Sequence, residues 1–189
     1  EITVVDDNAA VYEYVSGTIA GRSLDSLKRQ SNTLYYGYFT VNEGGGDFSA
    51  SDNIPAAGLQ FNHLPLIGEV FTGTVSSSAV IDASKPAINY MQVSGNSKKI
   101  GDQIDIIISA DGNSYSAIAP TSVNSVGIPD VSLQNLGNGV YILKYTIREG
   151  DFDVVSGDLA VQLTLVDQAG NISDSYTTLS VNTISIDAK

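Results

Sequence analysis

Val140–Gly150 reads VYILKYTIREG, and Leu34–Gly44, 106 residues earlier, reads LYYGYFTVNEG. Tyr, Thr, Glu and Gly recur in register between the two stretches, which indicates an internal repeat. The later stretch follows Asn138-Gly139, a pair that predicts a tight hairpin because a type I′ turn needs positive φ at both positions. The two stretches are therefore predicted to be equivalent β-strands of a repeated unit.

Three further pairs of segments match in the same order on either side of these strands. The pairs are Glu1–Tyr12 with Gln103–Tyr115, Leu59–Phe61 with Leu163–Leu165, and Ile81–Ala83 with Ile186–Ala188. We therefore predict two domains, residues 1–84 and residues 85–189. Only the second domain has the opening segment of residues 85–102, so the first is expected to lack its N-terminal strand. The sequence leaves open whether that strand lies outside this chain or is donated by another chain.

The second domain reads as nearly all strand. Ile104, Ile106 and Ile108 alternate with other residues at the two-residue period of a half-buried strand. About seven strands are predicted, near residues 87–94, 102–109, 114–126, 131–136, 140–147, 159–166 and 175–185. That number of short strands favours an immunoglobulin-like sandwich. We therefore predict an all-β chain of two tandem immunoglobulin-like β-sandwich domains.

Four motifs, the first of which spans the boundary between the two domains, resemble in their order the bacterial immunoglobulin-like repeats of large cell-surface adhesins and other exported multidomain proteins. The motifs are VIDASKP (residues 80–86), KKIGDQIDI (98–106), YTIREGDFD (145–153) and LVDQAGNIS (165–173). The first domain matches more weakly, because NHLPL stands where the second has DQAGN. The resemblance implies a non-enzymatic spacer or adhesion module on a bacterial cell surface, often stiffened by calcium. Its partners would be neighbouring repeats of the same chain and a surface glycan or protein.

Composition argues against several functions. The chain has 21 acidic and 9 basic residues and a net charge of −12, which disfavours nucleic acid and anionic membranes. The chain has no Cys, and its single His, His63, is too few for a multi-histidine zinc site. No cofactor motif or convincing acid–base pair is present, so we expect no enzymatic activity. We expect an extracellular monomer without membrane insertion.

Acidic residues collect in the loops between the predicted strands. Loops of a sandwich alternate between its two poles, so the bottom of the first domain is expected to face the top of the second. Carboxylates gathered there would repel one another without a cation, and calcium takes about six to eight oxygen ligands. We therefore predict calcium at the junction of the domains. Its ligands are predicted to be Glu43, Asp47, Asp82, Asp111 and Asp167.

A second acidic group predicts a further calcium site at the other pole of the second domain. It consists of Glu149, Asp151 and Asp153, and would be completed by Asp187 and a following repeat. The alternative for all these acids is turn chemistry, because Asp and Asn side chains cap turns through their own backbone.

Two tyrosines suggest an alternative function. Side chains alternate along a strand, so the core face is predicted to be Tyr141, Leu143, Tyr145 and Ile147, with Tyr35, Gly37, Phe39 and Val41 as equivalents. That arrangement turns Tyr36 and Tyr38 outward. Adjacent outward tyrosines suit a carbohydrate- or protein-binding module, such as an adhesin tip or an accessory domain of a secreted enzyme. Sheet propensity and cross-strand packing would also place tyrosine there.

Overall fold

The computed structural model describes residues 1–4, 7, 10–63, 66–76 and 78–189. Within these ranges the chain contains no helix, which confirms the predicted all-β class. The chain divides into two compact units, Glu1–Ser84 and Lys85–Lys189. Nowhere in the described ranges is there a helix with the length and hydropathy needed to span a membrane.

Unit two contains each of the strands that its sequence predicts, together with three short extra strands. Its strands are β7 (Ile88–Val93), β8 (Lys98–Lys99), β9 (Gln103–Ala110), β10 (Ser116–Val123), β11 (Val126–Gly127), β12 (Ser132–Gly137), β13 (Val140–Thr146), β14 (Val161–Val166), β15 (Leu179–Asn182) and β16 (Ile186–Asp187). One sheet has the order β12-β13-β9-β7-β15, and a second has the order β11-β10-β14. Most neighbours are antiparallel, but β7 pairs with β15, and β8 with β16, in parallel.

The core of unit two lies between these two sheets. Ile104, Ile106 and Ile108 of β9 are at most 1% exposed, whereas Ile107 is 38% exposed, as the two-residue period predicts. The buried face of the neighbouring strand is also the predicted one, consisting of Tyr141, Leu143, Tyr145 and Ile147. These side chains pack against Leu163 and Leu165 of β14 in one continuous cluster, an arrangement consistent with a β-sandwich.

The hairpin between β12 and β13 confirms the turn predicted from Asn138-Gly139. Asn138 has φ of 53° and Gly139 has φ of 72°, as a type I′ turn requires. A Cβ atom at Gly139 would lie 2.4 Å from the carbonyl oxygen of Ala110, so the turn also needs glycine for close packing.

Unit one also has two sheets, one of which has fewer strands than its counterpart in unit two. Its strands are β1 (Ile2–Thr3), β2 (Glu13–Ile19), β3 (Ser26–Arg29), β4 (Leu34–Tyr38), β5 (Asn53–His63) and β6 (Leu66–Ser76). They form the sheets β1-β4-β3 and β2-β5-β6. The sheet that contains β4 therefore has three strands, whereas its counterpart in unit two has five.

The strand register corrects one sequence alignment. Ile2 lies opposite Tyr35, just as Ile108 lies opposite the equivalent Tyr141. The first residue of unit one therefore corresponds to the residue before Ile108 and not to Gln103, with which the sequence match aligned it. That unit one lacks a counterpart of β7 stays a prediction.

Candidate functional site

The acidic loop of unit one binds the segment that closes the unit. One carboxylate oxygen of Asp47 accepts a hydrogen bond from the Ala83 backbone N–H at 2.6 Å, and the other accepts one from the Ser84 hydroxyl at 2.8 Å. Beside them, Phe48 and Ile81 exchange two backbone hydrogen bonds of 2.8 and 2.9 Å. We call the contacts of Asp47 with Ala83 and Ser84 the closing latch of unit one.

Unit two repeats this latch at the equivalent positions. The carboxylate of Asp153 accepts a hydrogen bond from the Ala188 backbone N–H at 2.8 Å and pairs with Lys189 Nζ at 2.7 Å. Val154 and Ile186 exchange backbone hydrogen bonds of 2.9 and 2.8 Å. The repeat that the sequence indicates is thus also a repeat of tertiary contacts, and each latch ties an acidic loop to the end of its own unit.

The latches alter the acidity of both carboxylic acids. The Ala83 N–H, followed by the Ser84 hydroxyl, lowers the pKa of Asp47 because both groups donate to the ionised form. The Lys189 ammonium group, followed by the Ala188 N–H, lowers the pKa of Asp153. Both carboxylates are therefore stabilised by donors of the protein itself.

We expect Asp47→Asn to destabilise unit one by about 0.5–1 kcal/mol at pH 7, because the charge-assisted bonds to Ala83 and Ser84 are lost at an exposed site. Since the folded pKa of Asp47 is lowered, its contribution is complete above the ordinary carboxyl pKa of about 3.9. That contribution is lost as the pH falls through the folded value. Thermal melts should therefore show a difference between the two proteins that shrinks below about pH 4.

Asp158→Asn is the matched control, because Asp158 is an exposed acid outside the latches. Its melting temperature should stay close to that of the unaltered chain at every pH. Equal losses for the two variants, or a loss at Asp47 that does not depend on pH, would contradict a structural role for the latch.

Two other predicted calcium ligands, Asp111 and Asp167, lie at one end of unit two. Asp111 accepts hydrogen bonds from the Ala87 N–H at 2.9 Å and the Tyr115 hydroxyl at 3.0 Å. Asp167 caps its own turn by accepting bonds from the N–H groups of Gly170 and Asn171, each at 2.8 Å. Burial, followed by the hydrogen bond to Asp111, raises the pKa of Tyr115, and the charge of Asp167 adds to this effect. Both acids therefore lie near Tyr115, as expected for loops at one pole.

The remaining predicted ligands belong to local turns. Asp151 accepts hydrogen bonds from the Tyr145 hydroxyl and, at 2.7 Å, from the Arg148 N–H. Asp82 accepts a hydrogen bond from the Ser84 N–H at 3.2 Å. Glu43 and Glu149 are exposed at the start of the two acidic loops. Turn chemistry thus accounts for much of the acidic pattern.

No group of three or more His, Asp or Glu side chains that could hold a metal ion occurs in the part of the chain that the structure describes. The side chain of His63 lies outside that part. Calcium binding by the two predicted ligand groups stays a prediction.

The two outward tyrosines lie where the strand period predicts. Tyr36 is 37% exposed and Tyr38 is 48% exposed. The Nζ atom of Lys28 lies 5.2 Å from the centre of the Tyr38 ring, a cation–π contact with one face of that ring. A sugar would have to use the other face of Tyr38 or the ring of Tyr36. Ligand binding by this pair stays a prediction.

Sequence reasoning missed a tyrosine pair that recurs in both units. The Tyr35 hydroxyl accepts a hydrogen bond from the Tyr12 N–H at 3.2 Å, and the Tyr141 hydroxyl accepts one from the Tyr115 N–H at the same distance. The ring centres lie 5.8 Å apart in unit one and 6.1 Å apart in unit two. The sequence did contain a signal for this pair, because the matched segments Glu1–Tyr12 and Gln103–Tyr115 both end in tyrosine.

No known protein family, curated protein or solved structure shows significant similarity to this chain.

Proposed function

We propose that the chain is a non-enzymatic structural and adhesive module from a bacterial surface or secreted protein, composed of two tandem immunoglobulin-like units. Its task would be mechanical: to hold a binding region away from the cell while bearing tension along the chain. Calcium bound by the acidic loops would stiffen it.

The parallel pairing of β7, the first strand of unit two, with β15, near the end of the unit, is the observation that carries this proposal. Leu179, Val181 and Asn182 of β15 pair with Met91, Gln92 and Val93 of β7. When the ends of a unit are pulled apart, parallel terminal strands slide past each other, so their hydrogen bonds are loaded together. Antiparallel strands joined by a turn would instead open one hydrogen bond at a time.

The closing latch supports the same role. Ile186 pairs with Lys98 in parallel and with Val154 in antiparallel fashion, so the last strand of unit two is held from two sides. The bond from Ala188 to Asp153 continues this attachment. Tension at the end of unit two would therefore be shared with β8 and with the acidic loop that contains Asp153 and Val154.

Single-molecule pulling of the full chain tests this function. Val181→Pro removes an N–H group from the middle of β15 and weakens its pairing with β7. We expect unit two to unfold at high force in the unaltered chain and at a clearly lower force in the variant, because the variant has fewer bonds in shear.

Gln134→Pro is the matched control, since β12 is the opposite edge strand of the same sheet. It should lower equilibrium stability by a similar amount but reduce the unfolding force less. A low force in the unaltered chain, or equal losses of force in both variants, would contradict a mechanical role. Force–extension traces recorded in EDTA and then in millimolar calcium test whether calcium stiffens the chain. We expect the chain to be stiffer in calcium.

A further inference from the structure

The hairpin between β12 and β13 is built on a chemically reactive pair of residues. Asn138 and Gly139 both have positive φ, and the Ala110 carbonyl leaves no room for a Cβ atom at Gly139. Asparagine is one of the few residues besides glycine that enter the left-handed region readily. The geometry of this turn therefore favours an asparagine followed directly by a glycine. In such a pair the backbone nitrogen reaches the asparagine side chain most easily, because glycine has no side chain to obstruct the approach.

The reaction of such a pair is deamidation. The Gly139 backbone nitrogen attacks Asn138 Cγ, so that a new N–C bond forms, the bond from Cγ to Nδ2 breaks, and ammonia leaves with the proton of the Gly139 N–H. Water then opens the five-membered imide at either of its carbonyl groups, which restores the N–H and gives aspartate or isoaspartate. Asn138-Gly139 is the only Asn-Gly pair in the chain, and Asn138 is exposed.

The fold holds the attacking nitrogen in a hydrogen bond. The Gly139 N–H donates to Asn113 Oδ1 at 2.7 Å, a short distance for a bond of this kind. The Gly139 carbonyl accepts a bond from the Ala110 N–H at 2.8 Å, and Gly139 itself is buried. A buried N–H that already has an acceptor is hard for hydroxide to deprotonate. Its nitrogen also cannot turn toward Asn138 Cγ without breaking the bond to Asn113.

A second asparagine makes the same kind of bond in the same hairpin. Asn135 Oδ1 accepts a hydrogen bond from the Gly137 N–H, also at 2.7 Å. The residue before Gly137 is Leu136, whose side chain has no amide group for the Gly137 nitrogen to attack. The bond from Asn113 thus occupies a reactive nitrogen, whereas the bond from Asn135 occupies an unreactive one.

We propose that Asn138 is a deamidation site of this protein and that Asn113 is the positioning residue that keeps the reaction slow. Asn113 belongs to the loop between β9 and β10, so the protection depends on the folded state of unit two. Either product adds a carboxylate to the tip of the hairpin. Isoaspartate also adds a backbone atom to a two-residue turn that sets the register of β12 against β13. This inference does not depend on the mechanical role.

The test follows Asn138 by peptide mapping and mass spectrometry while the full chain is incubated in warm, mildly alkaline buffer. The unaltered chain should convert slowly to aspartate and isoaspartate at this position. Asn113→Ala should convert about fivefold faster, the factor that corresponds to the loss of one hydrogen bond of ordinary net strength. An unchanged rate in this variant, or no conversion in either protein, would overturn the proposal.

Asn135→Ala is the matched control, because it removes a bond of equal length from the same hairpin but leaves Gly139 N–H covered. Its rate at Asn138 should equal that of the unaltered chain. Asn113→Asp keeps an acceptor oxygen, and its negative charge disfavours deprotonation of the N–H, so it should retain the slow rate. Equal acceleration by Asn113→Ala and Asn135→Ala would show that loosening of the hairpin controls the reaction, and would overturn the role of Asn113.

Amide hydrogen exchange separates local release from unfolding. In Asn113→Ala the Gly139 amide should exchange faster, while the amides of β9 and β13 keep their protection. Faster deamidation together with loss of protection throughout unit two would mean that unfolding exposes the pair. That result would overturn the proposal.

Discussion

Replacing Asp7 by Ala is expected to destabilise unit one by about 3 kcal/mol. Asp7 is fully buried and forms a two-point ion pair with Arg29. Its carboxylate oxygens lie 2.5 Å from Arg29 Nε and 2.9 Å from Arg29 Nη2. The Tyr35 hydroxyl donates a third bond to this carboxylate at 2.5 Å. The variant would leave a guanidinium and a buried hydroxyl without their acceptor.

The size of the effect follows from burial. Breaking a buried ion pair costs about 3–5 kcal/mol, because the remaining partner keeps its desolvation cost. The Arg29 side chain is 30% exposed and regains some water, which favours the lower end of that range. Hydrogen bonding to Asp7 raises the pKa of Arg29, and burial, together with the bond to Asp7, raises the pKa of Tyr35. Arg29 therefore stays charged and Tyr35 stays neutral at pH 7.

Amide hydrogen exchange measured by mass spectrometry checks this result unit by unit. Residues of unit one should lose protection in Asp7→Ala while those of unit two keep theirs. Asp25→Ala is the control, because Asp25 is an exposed acid of the same unit that accepts a bond from the Thr40 hydroxyl. If both variants exchange alike, the buried ion pair does not support unit one.

Ile106→Ala is expected to destabilise unit two by about 3–4 kcal/mol. Ile106 is 0% exposed at the centre of β9, opposite Leu143, and belongs to the core cluster that joins both sheets. Removing its methyl and methylene groups loses their transfer free energy and leaves a cavity that closely packed neighbours cannot fill.

Ile107→Ala removes the same atoms from the adjacent residue of the same strand. Because Ile107 is 38% exposed on the opposite face, its loss should cost less than about 1 kcal/mol. Denaturant titrations of the two variants measure the difference. Similar midpoints would mean that β9 does not have one buried and one exposed face.

The strands of unit two could be predicted from the sequence because the signals are local. The alternation of Ile104, Ile106 and Ile108 depends only on the pleat of a strand, and Asn138-Gly139 specifies its turn through its own φ angles. The outward direction of Tyr36 and Tyr38 follows from the same alternation. These predictions did not require knowledge of distant residues.

The hydrogen-bond partners of the acidic residues could not be predicted from local sequence. Asp47 and Asp153 resemble the other loop acids in sequence, but their partners lie 36 and 35 residues away, in the closing segments. The buried pair of Asp7 and Arg29 joins residues 22 positions apart without a motif. A carboxylate accepts whichever donor the fold brings near, and the local sequence does not specify that donor.

The sequence by itself determined the all-β class, the two repeated units, the buried face of the central strands and the hairpin turn, because backbone geometry and the two-residue period act over a few residues. Only the tertiary structure decided the register of β1, the closing latches and the buried ion pair of unit one. Each of these depends on segments that are distant in sequence and adjacent in space. Their hydrogen bonds and packing exist only once the sheets have formed.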